Sequence, residues 1–143
     1  MQYAKDGRRY VVKVEPGESV HEVLKNLAFK ETFKGASFFG VGATKDIELG
    51  FYNLTEKKYN FTNYAGVYEL VSMNGNIAWA NEEPIVHIHA TYSGEDNAVF
   101  GGHVSKMISA ITVEVQLIAL DVTLTRELDE VSGLKLLSLQ ETL

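Results

Sequence analysis

The most regular pattern in the chain is helical. Val20, Val23, Leu24, Leu27 and Ala28 recur three and four positions apart, so they line one face of a helix. Ser19 followed by Glu22 marks its start as a capping box, in which a hydroxyl and a carboxylate satisfy amide donors that the first turn leaves free. An amphipathic helix of this kind covers one side of a sheet.

The other patterned segments read as strands. Tyr10 to Val14 precedes the helix, and Gly35 to Val41 follows it with small and aromatic residues. Ile47, Leu49 and Phe51 alternate with Glu48 and Gly50, the sign of a half-buried strand. Tyr59 and Phe61 mark another. Val67 to Met73 and Ile77 to Trp79 flank Asn74-Gly75, a pair that tolerates positive φ and predicts a hairpin turn. Val86 to Tyr92 follows Pro84. Ile111, Val113, Val115 and Leu117 alternate with polar residues, and the parity shift at Ile118 and Leu120 predicts a bulge or two-sided burial. Leu134 to Leu139 is the last strand. The sum is an α+β fold: a largely antiparallel sheet, one main amphipathic helix and a short second helix.

Composition narrows the class. The chain has 143 residues, 45% of them hydrophobic, which fits one domain over 1–143 with a full core. Without cysteine, disulfides and thiolate metal sites are excluded. No apolar run reaches the roughly 18 residues of a membrane span, and the charged N-terminus does not read as a signal peptide. A cytoplasmic location is expected. The net charge is −6, against the basic face that holds phosphates. The densest basic cluster, Lys5, Arg8 and Arg9, reads as a solvated terminus before it reads as a polyanion contact.

Three of the four histidines lie close together. His87 and His89 are two apart in a strand and share a face. Ser93 to Asn97 reads as a turn that brings His103 back opposite them. A turn centred between Glu95 and Asp96 pairs His103 with Ile88, on the wrong face; one centred on Asp96 pairs it with His89. A bulge at Gly101-Gly102 would also correct the face. The spacing thus permits a three-histidine zinc site with an open position, and equally a set of histidines that bond to neighbours. His21 reads as a surface residue of the helix. Glu114 is a general base only if it faces the histidines; otherwise it is a polar strand residue. Gly40-Val41-Gly42-Ala43 has no phosphate-loop spacing and reads as a tight strand exit. No serine has a nucleophile-elbow context.

Gly35 to Ala43, Leu49-Gly50-Phe51-Tyr52, and Gly66-Val67-Tyr68-Glu69-Leu70-Val71-Ser72-Met73-Asn74-Gly75 together resemble the plants-and-prokaryotes conserved (PPC) domain, the module joined to AT-hooks in plant nuclear proteins. The third segment is similar to that family's G-R-F-E-I-L-S-L-x-G. Pro84, His87-Ile88-His89-Ala90 and Gly101-Gly102-His103 resemble the signature of its stand-alone prokaryotic members. The likeness runs from about Arg8 to Leu124. It implies an α+β homotrimer associated with DNA or with DNA-bound partners. Two departures matter: no R-G-R-P hook is present, so the part that reads DNA in plant members is missing, and Val67 stands where the plant interaction segment carries arginine, which counts against that mode of partner binding. The family's fold is also similar to that of acetolactate decarboxylase, whose zinc is held by H-x-H and a later histidine. That implies zinc at His87, His89 and His103, and, as the alternative function, a zinc-dependent lyase or hydrolase.

Overall fold

The computed structural model describes residues 1–139 of the chain. Its elements are β1 (Gln2–Asp6), β2 (Arg9–Val14), α1 (Val20–Glu31), β3 (Ala36–Asn53), β4 (Lys58–Ala80), β5 (Glu83–Ser93), β6 (Val99–Ala119), β7 (Thr125–Leu128) and β8 (Lys135–Ser138). Among the described residues α1 is the one helix, so the short second helix is not found. The strand pairs are antiparallel except for a single parallel link between Trp79 of β4 and Thr125 of β7.

The helix forms as its pattern predicts. The Ser19 hydroxyl accepts from the Glu22 amide at 3.4 Å, and all five apolar-face residues are buried. Thr32 closes the C-terminus in the left-handed region, its amide donating to the Ala28 and Phe29 carbonyls. Val20, Leu24 and Leu27 are wholly buried, each contributing about 1.5–3 kcal/mol by leaving water. The helix packs on β5 and β6, and its entry is pinned to β6 by backbone bonds between Ser109 and both Gly17 and Glu18.

The sheet curls onto itself. β3 pairs with β4 on one side and β6 on the other, while β5 pairs with those same two strands. The four strands make a closed circuit, and α1 seals its interior. Phe38, Met73, Ile77, Ile88, Met107 and Val115 fill that interior.

Several expected strands prove to be parts of longer ones. β3 has 18 residues, β4 has 23 and β6 has 21; uninterrupted, 23 residues would extend roughly 75 Å. Bulges bend them instead. β3 shifts register between Gly40 and Gly42 and again between Lys45 and Ile47. At Gly42 φ is +155° and a Cβ would lie 2.2 Å from the Thr112 carbonyl. Gly40 to Ala43 is therefore a bend within a strand and not its exit.

Asn74-Gly75 is not a turn. Both residues lie in the middle of β4, opposite His89 and Ile88. Gly75 is required by crowding: a Cβ there would come 2.2 Å from the His87 carbonyl and 2.4 Å from the Phe38 ring. The β4–β5 hairpin turns six residues later, at Asn81 and Glu82, both with positive φ as a two-residue primed turn demands. The parity shift at Ile118 is neither a bulge nor two-sided burial. Ile118 stays in register, 44% exposed, and the strand ends at Ala119.

Candidate metal centre

β5 and β6 bring the three histidines together. Ile88 points into the core and is fully buried, so His87 and His89 share the opposite face. The β5–β6 loop runs from Ser93, paired with Val99, and is centred on Asp96. His103 therefore falls directly opposite His89. No bulge at Gly101-Gly102 is needed; the pairing is continuous there.

The geometry is compact. Ring centroids are 5.1 Å apart for His87–His89, 5.2 Å for His87–His103 and 5.4 Å for His89–His103. One nitrogen from each ring lies within 4.8 Å of the other two. His89 is exposed, while His87 and His103 are half-buried. Tyr59 stacks on His103 at 4.9 Å and 26°, fixing that ring from the β4 side. Nδ1 of His103 is buried with no hydrogen-bond partner.

Two of the rings, His87 and His103, are also held toward the uncharged form. Burial chiefly, and then the Arg126 charge and the other two rings, push His87 down to about 4. Burial lowers His103 as well, with smaller contributions from His89, His21 and Arg126. Neutral imidazole is the form that ligates a metal. Three nitrogen donors, with a buried polar atom of one ring left unpartnered, fit zinc or a similar transition ion and not magnesium or calcium, which take oxygen.

Arg126 is the functional residue that pattern reading missed. It comes from β7, and its Nη2 lies 3.3 Å from Nδ1 of His87. A cavity of about 230 Å³ opens beside it, bounded by His87, His103, Tyr59 and the β7–β8 hairpin.

The remaining candidates lie elsewhere. Glu114 pairs with Val41 and Lys13, far down β6 from His103, a separation of roughly 35 Å at strand rise. It is not brought to the histidines. His21 is not a free surface residue: its Nε2 lies 3.2 Å from the Val104 carbonyl and the ring is half-buried. Of the basic cluster, Lys5 pairs with Glu31 and Arg8 with Asp121, leaving fewer charges for a polyanion.

This fold has counterparts. The Plants and Prokaryotes Conserved (PCC) domain model matches residues 1–121, and the chain belongs to that family. A candidate DNA-binding protein from Ralstonia eutropha JMP134 is 27% identical with a TM-score of 0.90, covering 96% of each chain. A plant- and prokaryote-conserved protein from Pyrococcus horikoshii is 29% identical with a TM-score of 0.87, covering 99% of this chain and 97% of its own. The metal-containing protein AF0104 from Archaeoglobus fulgidus, 23% identical over 96% of this chain and 99% of its own, has the same fold with a TM-score of 0.86. Acetolactate decarboxylase from Bacillus subtilis shares part of that architecture at 16% identity, with a TM-score of 0.58 over 82% of this chain and 54% of its own. No curated protein matches the chain. No described helix is long and apolar enough to cross a membrane.

Proposed function

We propose that the chain is a stand-alone PCC-domain protein in which His87, His89 and His103 hold one zinc ion. The observation that carries this reading is the donor set: three imidazole nitrogens within 4.8 Å of one another, on a face fixed by the β5–β6 register. The metal content in the name of the Archaeoglobus relative supports it. When bound, zinc with three protein ligands leaves a position for water or a ligand oxygen and polarises what sits there. The protein's own part is to hold the rings aimed, with burial keeping His87 and His103 toward the neutral form: Tyr59 packs on His103, and the strand pairing sets His89 opposite it.

Binding is a better description than catalysis. Among the described residues lining the cavity there is no carboxylate to move a proton, and Glu114 is remote. The zinc-dependent lyase or hydrolase reading thus lacks a carboxylate as its acid–base group. The names of two relatives speak of DNA binding; with a net charge of −6, a role close to DNA in this chain would run through partners. We also take the assembly to be a homotrimer in line with the family resemblance. In favour of that, Phe39 and Val41 of β3 and Val71 of β4, adjacent strands, are 55%, 51% and 49% exposed, an uncovered apolar patch. Calorimetric titration of zinc into chelator-stripped protein near neutral pH is expected to give saturable binding of one ion per chain; no saturable binding removes the site. A solution mass equal to one 15.9 kDa chain at all concentrations removes the trimer.

A further inference from the structure

Arg126 is a half-buried cation that the metal reading leaves without a role. It lies beyond the residues 1–121 that define the family match. Nη1 donates to the Lys135 carbonyl at 3.0 Å and Nη2 to Asn76 Oδ1 at 2.8 Å. Nε is buried with no partner. Among the described residues no carboxylate forms an ion pair with it. A charge withdrawn from water without a counter-ion is costly, and an anion offsets the cost.

The contact with His87 sharpens the point. Arginine has only donors, so Nδ1 of His87 accepts. A neutral ring that accepts at Nδ1 carries its proton on Nε2 and has no second lone pair to give. If either nitrogen is taken by a metal, Nδ1 becomes occupied or protonated, and Arg126 loses its acceptor. The guanidinium then faces another cation with unmet donors. An anion placed between the two relieves both.

The cavity says which kind of anion. Arg126, Lys135, Tyr59, His87 and His103 supply its polar groups, while Ile85, Val86, Leu134 and Leu136 supply its apolar wall. Its volume of about 230 Å³ is that of roughly seven or eight water molecules. A planar guanidinium fork suits a carboxylate, and the apolar wall suits a hydrocarbon chain more than a fully hydrated inorganic ion. We infer that the site receives a small carboxylate with a short apolar chain, its anionic end between Arg126 and the histidine trio and its chain against the β7–β8 hairpin. This rests on the metal reading, and it makes the hairpin the element that selects the ligand.

The test is zinc calorimetry at pH 7 in a non-coordinating buffer, with metal-free wild type and Arg126→Gln, each alone, with isobutyrate and with sulfate. Isobutyrate is expected to tighten zinc binding to wild type by at least about fivefold, the lower end of ordinary site coupling, and to do so more than sulfate. Arg126→Gln is expected to bind zinc no more weakly than wild type in the absence of anion and to show no isobutyrate effect. Leu136→Glu, at a 44% exposed position, places a carboxylate at the cavity and is expected to abolish the isobutyrate effect also; it serves if Arg126→Gln does not fold. Zinc binding that ignores isobutyrate in wild type, or sulfate acting as strongly, overturns the carboxylate inference while the metal reading stands. Absence of zinc binding in every sample overturns both.

Discussion

Two polar clusters in this domain have opposite character. At Glu31, where β1 and β2 meet the end of α1, the charges close on themselves. The carboxylate accepts from Tyr3 Oη at 2.6 Å, Lys5 Nζ at 2.7 Å and Tyr10 Oη at 3.0 Å. Those donors, Lys5 foremost, lower Glu31 to about 2, and Glu31 raises Lys5 in return. At the histidines nothing closes. Three imidazole rings and a guanidinium face one another, and two buried polar atoms, His103 Nδ1 and Arg126 Nε, have no partner. A cluster that satisfies itself holds the fold; a cluster with capacity left over holds something else.

The most severe break of that contrast removes a ligand. His89→Ala is expected to reduce zinc affinity by more than about 100-fold, beyond what loss of a supporting hydrogen bond does, while His21→Ala keeps one ion per chain. Zinc calorimetry on both variants checks this, and equal binding would place the metal elsewhere.

Removing the closed cluster is expected to act on stability alone. Glu31→Gln removes the charge and one of the two acceptor oxygens shared by two tyrosines and a lysine, and a thermal melt should fall by several degrees with zinc stoichiometry unchanged. His89→Ala in metal-free protein should melt close to wild type, since its ring is exposed.

Acid separates the two clusters. His87 is held at about 4 in the fold against about 6.5 unfolded, so the unfolded chain takes up the proton first. Its contribution to stability is complete above pH 6.5 and is lost as pH falls toward 4. For a half-buried ring the loss is on the order of 1–2 kcal/mol. Glu31, lowered to about 2 from 4.5, contributes above pH 4.5 and loses that contribution between 4.5 and 2. Denaturant melts of metal-free protein across this range should show both windows. His87→Gln should flatten the upper one and Glu31→Gln the lower; a single shared window would merge the clusters.

The smallest expected effect is on nucleic acid. With net charge −6 and with Lys5 and Arg8 already paired, duplex DNA at physiological salt should produce no saturable anisotropy change, and neutralising Lys5, Arg8 and Arg9 should alter that little. Tight binding that survives the triple change would contradict it.

What is legible in the sequence, for the fold and for the site alike, follows from which interactions are local. Ser19, Glu22 and the five apolar positions act within one helix, and the helix formed as they indicate. His87 and His89 share a face because strand period is two, which is equally local. The return of His103 depended on one loop residue, and spacing alone left two registers open. Asn74-Gly75 misleads because glycine serves two purposes, positive φ and close approach, and only the neighbouring strand reveals which applies. The bulges that join short patterns into β3 and β4 depend on contacts with Thr112 and Val113, some seventy residues away. Arg126 had no legible signal: it lies two residues past the end of the recognised likeness, and its importance comes wholly from where β7 docks. Glu114 erred the other way, since its alternation was right and its distance from the histidines invisible.

The pairing order of the sheet also sets when the protein can exist at all. β2 pairs with β6, across a span from Arg9 to Ile118, and β3 waits for the same strand on one of its two sides. α1 packs on β5 and β6, so its apolar face lacks full cover while the next eighty or so residues are being made. At ribosomal speeds of 5–20 residues per second that is roughly 5–15 s. So many distant pairings also put the domain among slow folders, on the millisecond-to-second scale. The last long strand therefore completes the inner circuit, seats the helix and gives β2 its partner in one late event, which leaves apolar surface of the nascent chain open to solvent until residue 119 has emerged.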